Sequence, residues 1–130
     1  MDKLPLERFP FHLGLGATAV PEPEFTGADW YARYGERHAD DGAEGRLVQM
    51  YSFSESWTTW EMHPAGEEAV ICTAGEMTLI QELPDGLRRV TLRAGEYAIN
   101  PRGIWHTADI AGHATAVFIT AGQDTQNRPR

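Results

Sequence analysis

The chain holds a single cysteine, Cys72, so no disulfide can close within it, and nothing in its cysteine usage indicates an oxidising compartment. Positive charge is scarce. Eleven Lys and Arg stand against 19 Asp and Glu, a formal charge of −8. That balance excludes nucleic acid and anionic membrane as default partners, since both demand clustered basic groups. No apolar run approaches the ~20 residues that a membrane span needs. The first ten residues, Met-Asp-Lys-Leu-Pro-Leu-Glu-Arg-Phe-Pro, lack the apolar h-region of a secretion signal, so a cytoplasmic location is expected. Low-complexity tracts and internal repeats are also missing, and 130 residues are enough for one domain with one core.

What is present divides in three. Residues 1–45 read as an N-terminal arm, a strand and a short helix. The arm contains Pro5 and Pro10, and the strand covers Phe11 to Val20. Gly14 and Gly16 have no helix start after them and do not form a phosphate loop. Pro21-Glu-Pro-Glu then breaks the strand. Thr26 with Asp29 resembles a capping box. Trp30, Tyr31 and Tyr34 form the inward side of the predicted helix, which ends at Gly35. His12 and His113 are expected to be structural, and His38 to lie on the surface.

Residues 46–122 change to short runs of period two. Strands are predicted at Leu47 to Phe53, Trp57 to His63, Glu68 to Thr73, Met77 to Leu83, Leu87 to Arg93, Tyr97 to Asn100, Trp105 to Ile110 and Thr115 to Ala121. Asp85-Gly86 supplies a hairpin turn. Many short strands with little helix imply an all-β sandwich or small barrel. Residues 123–130 read as a flexible tail, or as a strap across a partner subunit.

Glu61 and His63 are two apart and share one strand face. Glu68 opens the next apolar run, and His106 follows the turn Pro101-Arg-Gly103. Two carboxylates aimed into one barrel repel, and without a cation one of them is driven toward its protonated form. A divalent ion cancels both charges while two neutral imidazoles supply nitrogen ligands, a set that suits Fe, Mn, Zn or Ni. The alternative from the same residues is a metal-free barrel in which Glu61 and Glu68 share a proton or bond to the imidazoles or to a ligand. Strand alternation places Trp57 and Thr59 on the face of Glu61, Cys72 on that of Glu68, and Ile110 on that of His106. With Tyr51, these are the expected lining of a mostly apolar small-molecule pocket. Cys72 has nothing beside it to activate a thiolate.

Glu61-x-His63, four residues, Glu68, six residues, Gly75, then Gly95, five residues, Pro101-x-Gly103, two residues, His106 resemble the two motifs of the cupin superfamily. Glu61 stands where that pattern has a histidine, and Ile110 where it has an asparagine. The resemblance implies a jelly-roll barrel, or double-stranded β-helix. It also implies a metal site at Glu61, His63, Glu68 and His106, and pairing into a homodimer, for which Phe11 to Val20 offers an unpaired strand.

Two functions follow as expectations. One is a metal-dependent enzyme acting on a small organic molecule, by oxygenase chemistry or by Lewis-acid isomerase, lyase or hydrolase chemistry. The other is a non-catalytic sensor or carrier built on the same barrel, with or without metal. Fold alone does not choose between them.

Overall fold

In the computed structural model, which describes residues 2–130, the chain is an antiparallel jelly roll with one helix lying against it. Its strands are β1 (Phe11–Gly14), β2 (Thr18–Pro21), β3 (Arg46–Phe53), β4 (Thr59–Met62), β5 (Glu68–Leu83), β6 (Gly86–Arg93), β7 (Tyr97–Asn100), β8 (His106–Asp109), β9 (Ala114–Thr120) and β10 (Gln126–Pro129). The helix α1 (Ala28–Arg37) and a 3-10 segment (Ala39–Glu44) lie between β2 and β3. No helix is long and apolar enough to cross a membrane among the described residues.

The long strand β5 organises the barrel. Its first half pairs with β7 and β9, and its second half with β6 and β8. It therefore belongs to both sheets, β2-β1-β3-β9-β5-β7 on one side and β10-β4-β8-β5-β6 on the other. The sequence divides β5 into two strands at Gly75; the fold keeps one strand and bends it there. A register shift falls between Cys72 and Ala74, and Gly75 adopts φ 69°. A Cβ on Gly75 would stand 1.9 Å from the His113 carbonyl oxygen, so only glycine fits where the strand turns the corner.

Between the sheets lies the core of Val70, Cys72, Met77, Leu79, Leu92 and Phe118, with Ala108 and Ile110 from β8 and its end. Met77 and Leu79 are essentially inaccessible, and each contributes about 1.5–3 kcal/mol by leaving water.

Three expectations outside the barrel core need correction. The single strand from Phe11 to Val20 is a hairpin: β1 pairs with β2 and with β3. Its turn uses Gly16 and Ala17 at positive φ, which is the role of the Gly-Leu-Gly sequence. The capping box does not form, because Gly27 is the N-cap and no side chain caps the helix. Gly35 lies inside α1, which runs on to Arg37. Finally, the tail is an ordered edge strand. β10 pairs with β4 of its own barrel, and Arg130 reaches the carbonyls of Trp57 and Ala108 and the carboxylate of Asp109.

Candidate metal centre and its cavity

Strand register assembles the site. Glu61 on β4 is the direct cross-strand partner of His106 on β8, and on its other side His106 faces Gln81 of β5. Glu68, the first residue of β5, sits between Asn100 of β7 and Thr120 of β9. The Pro101–Ile104 turn closes with an amide bond from Ile104 to the Pro101 carbonyl, 3.2 Å, and Gly103 donates to the His63 carbonyl at 3.1 Å. That turn, with Gly103 at φ 73°, brings the segment before His106 against His63.

Four side chains converge. His63 Nε2 lies 3.2 Å from Glu68 Oε2, and His106 Nε2 lies 3.3 Å from Glu68 Oε1. Glu61 Oε2 is 3.8 Å from the first nitrogen and 3.9 Å from the second. The Glu68 contacts lack the alignment of hydrogen bonds, and both Nε2 atoms are buried without a partner. The other ring nitrogens are occupied. Thr125 Oγ1 gives its own hydrogen to the Gly122 carbonyl, so His63 Nδ1–H donates to it, 2.8 Å. His106 Nδ1 faces the Ile104 carbonyl at 3.4 Å, which can only accept. In both neutral rings the proton therefore sits on Nδ1, and the Nε2 lone pair points into the cluster.

Charge follows from this arrangement. Burial pushes the Glu68 carboxyl up, but the His106 and His63 imidazoles outweigh it and hold the group well below the usual carboxylate range. Its oxygens also accept from Asn100 Nδ2, 3.0 Å, and Thr120 Oγ1, 2.6 Å. Asn100 is in turn fixed by Gln81 Nε2 at 2.9 Å. Glu61 is pushed the opposite way, first by burial and then by the charge of Glu68. The His63 imidazole is raised: burial lowers it, and Glu68 and Glu61 together prevail.

A divalent ion fits this donor set. At metal–ligand distances of about 2.0–2.2 Å, two atoms sharing one ion stand roughly 3–3.5 Å apart. The Glu68–imidazole separations have that value, and the Glu61 separations are a few tenths of an ångström longer. Glu61, His63 and His106 offer ligand atoms all within 4.8 Å of one another. Two lone pairs with no partner and two carboxylates of opposed pKa direction are what a cation would resolve.

Three residues of the centre, Glu61, His63 and Glu68, line a cavity of about 780 Å³. Of the expected pocket residues, Trp57, Thr59 and Tyr51 line it. Cys72 and Ile110 do not: both belong to the apolar core between the sheets, and Cys72 Sγ turns to the Ala74 carbonyl. Arg102 reaches the Ala65 carbonyl rather than the cavity.

Sequence reasoning missed a tier of residues here. Asn100, Thr120 and Gln81 hold Glu68 through register that no spacing reveals, although Asn100 stands directly before Pro101 of the second motif. Thr125 comes from the tail. Tyr31 and Gln49 join Tyr51 in a closed set of hydrogen bonds on the cavity wall. His12, expected to be structural, is buried between Tyr34 Oη and Asp41 Oδ2, each at 2.5 Å. His38 stacks on it at 3.7 Å and bonds to Glu22. With both nitrogens of His12 taken up, that cluster fastens α1 to the hairpin rather than presenting lone pairs.

A family model described as a cupin domain matches residues 50–122. No curated protein matches the chain in sequence. Among solved structures the fold is similar to that of an oxalate oxidase (21% identity, 62% of this chain and 44% of that one, TM-score 0.54). It is also similar to hydroquinone 1,2-dioxygenase from Sphingomonas sp. TTNP3 with 4-hydroxybenzoate bound (16% identity, 58% and 59% of the chains, TM-score 0.50). A third is Fe(II)-HppE with an alternative substrate (12% identity, 58% and 42%, TM-score 0.50). The aligned region spans less than half of the oxalate oxidase chain. At these identities the likeness is one of fold.

Proposed function

The chain belongs to the cupin family, and on that premise we propose that it is a metal-dependent enzyme acting on a small organic molecule bound in the barrel. The observation that carries this reading is the pair of buried Nε2 atoms of His63 and His106, unpartnered and facing the same two carboxylates. Glu61, His63, Glu68 and His106 would hold a divalent transition metal, Fe, Mn, Zn or Ni. Such an ion supplies either Lewis acidity or redox capacity toward a coordinated substrate oxygen.

The protein's own groups have separable tasks. Glu68 is immobilised by Asn100 and Thr120 and serves as a fixed charge. Glu61 accepts no hydrogen bond among the described residues, and its side chain keeps about a third of its surface exposed. Its carboxyl, raised by burial and by the charge of Glu68, is the group suited to hold and return a proton when it is not ligating. Trp57, 6.3 Å from His106 between ring centroids, excludes water from one flank and orients an apolar ligand body.

The deciding experiment is elemental analysis of protein purified without added metal, for wild type and His106→Ala. About one equivalent in the wild type and almost none in the variant are expected. A wild type free of metal, with a melting temperature indifferent to chelator, would leave the sensor or carrier reading instead. We further propose a homodimer formed along β2, the outermost strand of its sheet, where Val20 is exposed. Light scattering that returns a monomer at all concentrations would remove it.

A further inference from the structure

The wall of the cavity restricts what can enter it. Lys3 is the only lysine of the chain, and neither it nor any arginine is among the residues lining the cavity. Arg37 pairs with Glu22, Arg102 with the Ala65 carbonyl, Arg128 with Glu82, and Arg130 with Asp109. Arg33 and Arg46 flank lining residues, but both are exposed and neither lines the cavity. Carboxylates do line it: Glu61, Glu68 and Asp124. Two further lining imidazoles, His12 and His38, each already face a carboxylate, Asp41 and Glu22.

A divalent ion bound at the centre would be neutralised by Glu61 and Glu68. An anionic ligand would then carry its charge into a part-buried, acidic space with no lysine or arginine on its wall, which is unfavourable.

Much of the remaining wall is aromatic. Trp57 lies 6.3 Å from His106, and it forms one cluster with Phe118 at 6.1 Å and Phe53 at 5.7 Å. Tyr51 joins the cluster, 6.2 Å from Phe118 and 6.0 Å from Phe53. Rings at such separations make edge and offset contacts with one another and can extend the cluster to an inserted ring. Tyr51 also belongs to a hydrogen-bonded set with Tyr31 and Gln49. The hydroxyls lie 2.6 Å apart, Tyr31 Oη donates to Gln49 Oε1 at 3.1 Å, and Gln49 Nε2 donates to Tyr51 Oη at 3.3 Å. Each hydroxyl oxygen retains acceptor capacity for a further donor.

From this geometry we infer that the ligand is an uncharged aromatic molecule, with an oxygen group directed at the Glu61/His63/Glu68/His106 centre and a second group that donates a hydrogen bond to the Tyr31–Gln49–Tyr51 set. The inference rests on the reading of the cavity as a small-molecule site, and it excludes carboxylates and phosphates as preferred ligands. About 780 Å³ holds a two-ring body with room for substituents.

A matched series of biphenyls tests it by calorimetry on the full chain as purified, with metal content measured on the same sample. The probes are 4-phenylphenol, 4,4′-dihydroxybiphenyl, 4′-hydroxybiphenyl-4-carboxylate and oxalate. The two phenols are expected to bind at least about tenfold more tightly than either carboxylate. The diol is expected to exceed the mono-phenol, and Tyr31→Phe should reduce that difference.

Carboxylate or oxalate binding as tight as the diol would overturn the inference, and so would failure of both phenols to bind. A diol advantage undiminished in Tyr31→Phe would overturn the role given to the hydroxyl set. Phenol binding by protein that contains no metal would sustain this inference while removing the metal-enzyme reading, so the two fail separately.

Discussion

Glu61 and His106 are cross-strand partners, and the carboxylate of one lies 3.9 Å from the imidazole Nε2 of the other. This single register couples the two halves of the site. Glu61 arrives on β4 and His106 on β8 after the Pro101–Gly103 turn, and neither reaches the centre by local geometry alone. The same register leaves Glu61 the one polar member with no fixed partner among the described residues, whereas Glu68 is held from both sides.

The support of Glu68 predicts the first result. Asn100→Ala removes the donor to Oε1 and one of the two acceptors of the Gln81 amide, which keeps the Ile99 carbonyl. Metal affinity should fall roughly 10–100-fold, the usual cost of losing a group that orients a ligand. Stability should fall by about 1–3 kcal/mol because the buried Glu68 carboxylate loses a donor. Co(II) titration followed by its absorption bands, alongside a urea melt, reads both; unchanged affinity would mean that Glu68 does not bind the metal.

The tail supplies a second. Thr125 accepts from His63 Nδ1, which keeps the Nε2 lone pair directed inward. Thr125→Ala should weaken metal binding by roughly tenfold, with little change in the melting temperature of chelator-treated protein. Thr125→Ser, retaining the hydroxyl, should restore affinity. Equal binding by all three proteins would assign Thr125 no part in the site.

Charge at Glu61 gives a prediction with a definite sign. Its carboxyl is raised by burial and by Glu68. Below the unfolded value of about 4.3, the group is protonated in both states and costs nothing. As pH rises from that value to the raised folded value, the unfolded state releases the proton first and metal-free protein loses stability; above the folded value the loss is complete. In EDTA, Glu61→Gln should match wild type near pH 4 and exceed it at pH 7–8. The gain should be no more than about 1 kcal/mol, since the group is partly exposed and screened. With metal added the order should reverse. Urea midpoints at both pH values decide; a difference independent of pH would contradict the argument.

Gly75 gives a stability prediction remote from the metal. A methyl there would meet the His113 carbonyl at 1.9 Å on a backbone at φ 69°. It would also disturb the Glu76-to-His113 amide bond. Gly75→Ala should cost at least about 3 kcal/mol. Gly112→Ala, where nothing lies within 4 Å, should stay within about 0.5 kcal/mol. Equilibrium unfolding in urea compares them directly.

The sequence alone determined an all-β sandwich or small barrel and the positions of nearly every barrel strand, because period-two alternation and turn residues are local properties; the jelly roll was implied by the resemblance of its two motifs to cupins. The sequence also singled out Glu61, His63, Glu68 and His106, whose residue types and spacing carry chemistry without reference to neighbours. Long-range pairing decided the rest. Glu68–Thr73 and Met77–Leu83 became one bent strand because β8 and β9 pair with its successive halves. Cys72 and Ile110 went to the core rather than the cavity, since sharing a strand face with a site residue fixes direction and not depth. The tail became β10 because β4 had an open edge for it.

Glu61, His63, Glu68 and His106 carry the residue types of a candidate metal site in the sequence itself. What only the tertiary structure could decide is which side chains hold those carboxylates and imidazoles in place. Asn100, Thr120 and Thr125 meet them through register and closure, distant in sequence and adjacent only once the barrel has formed.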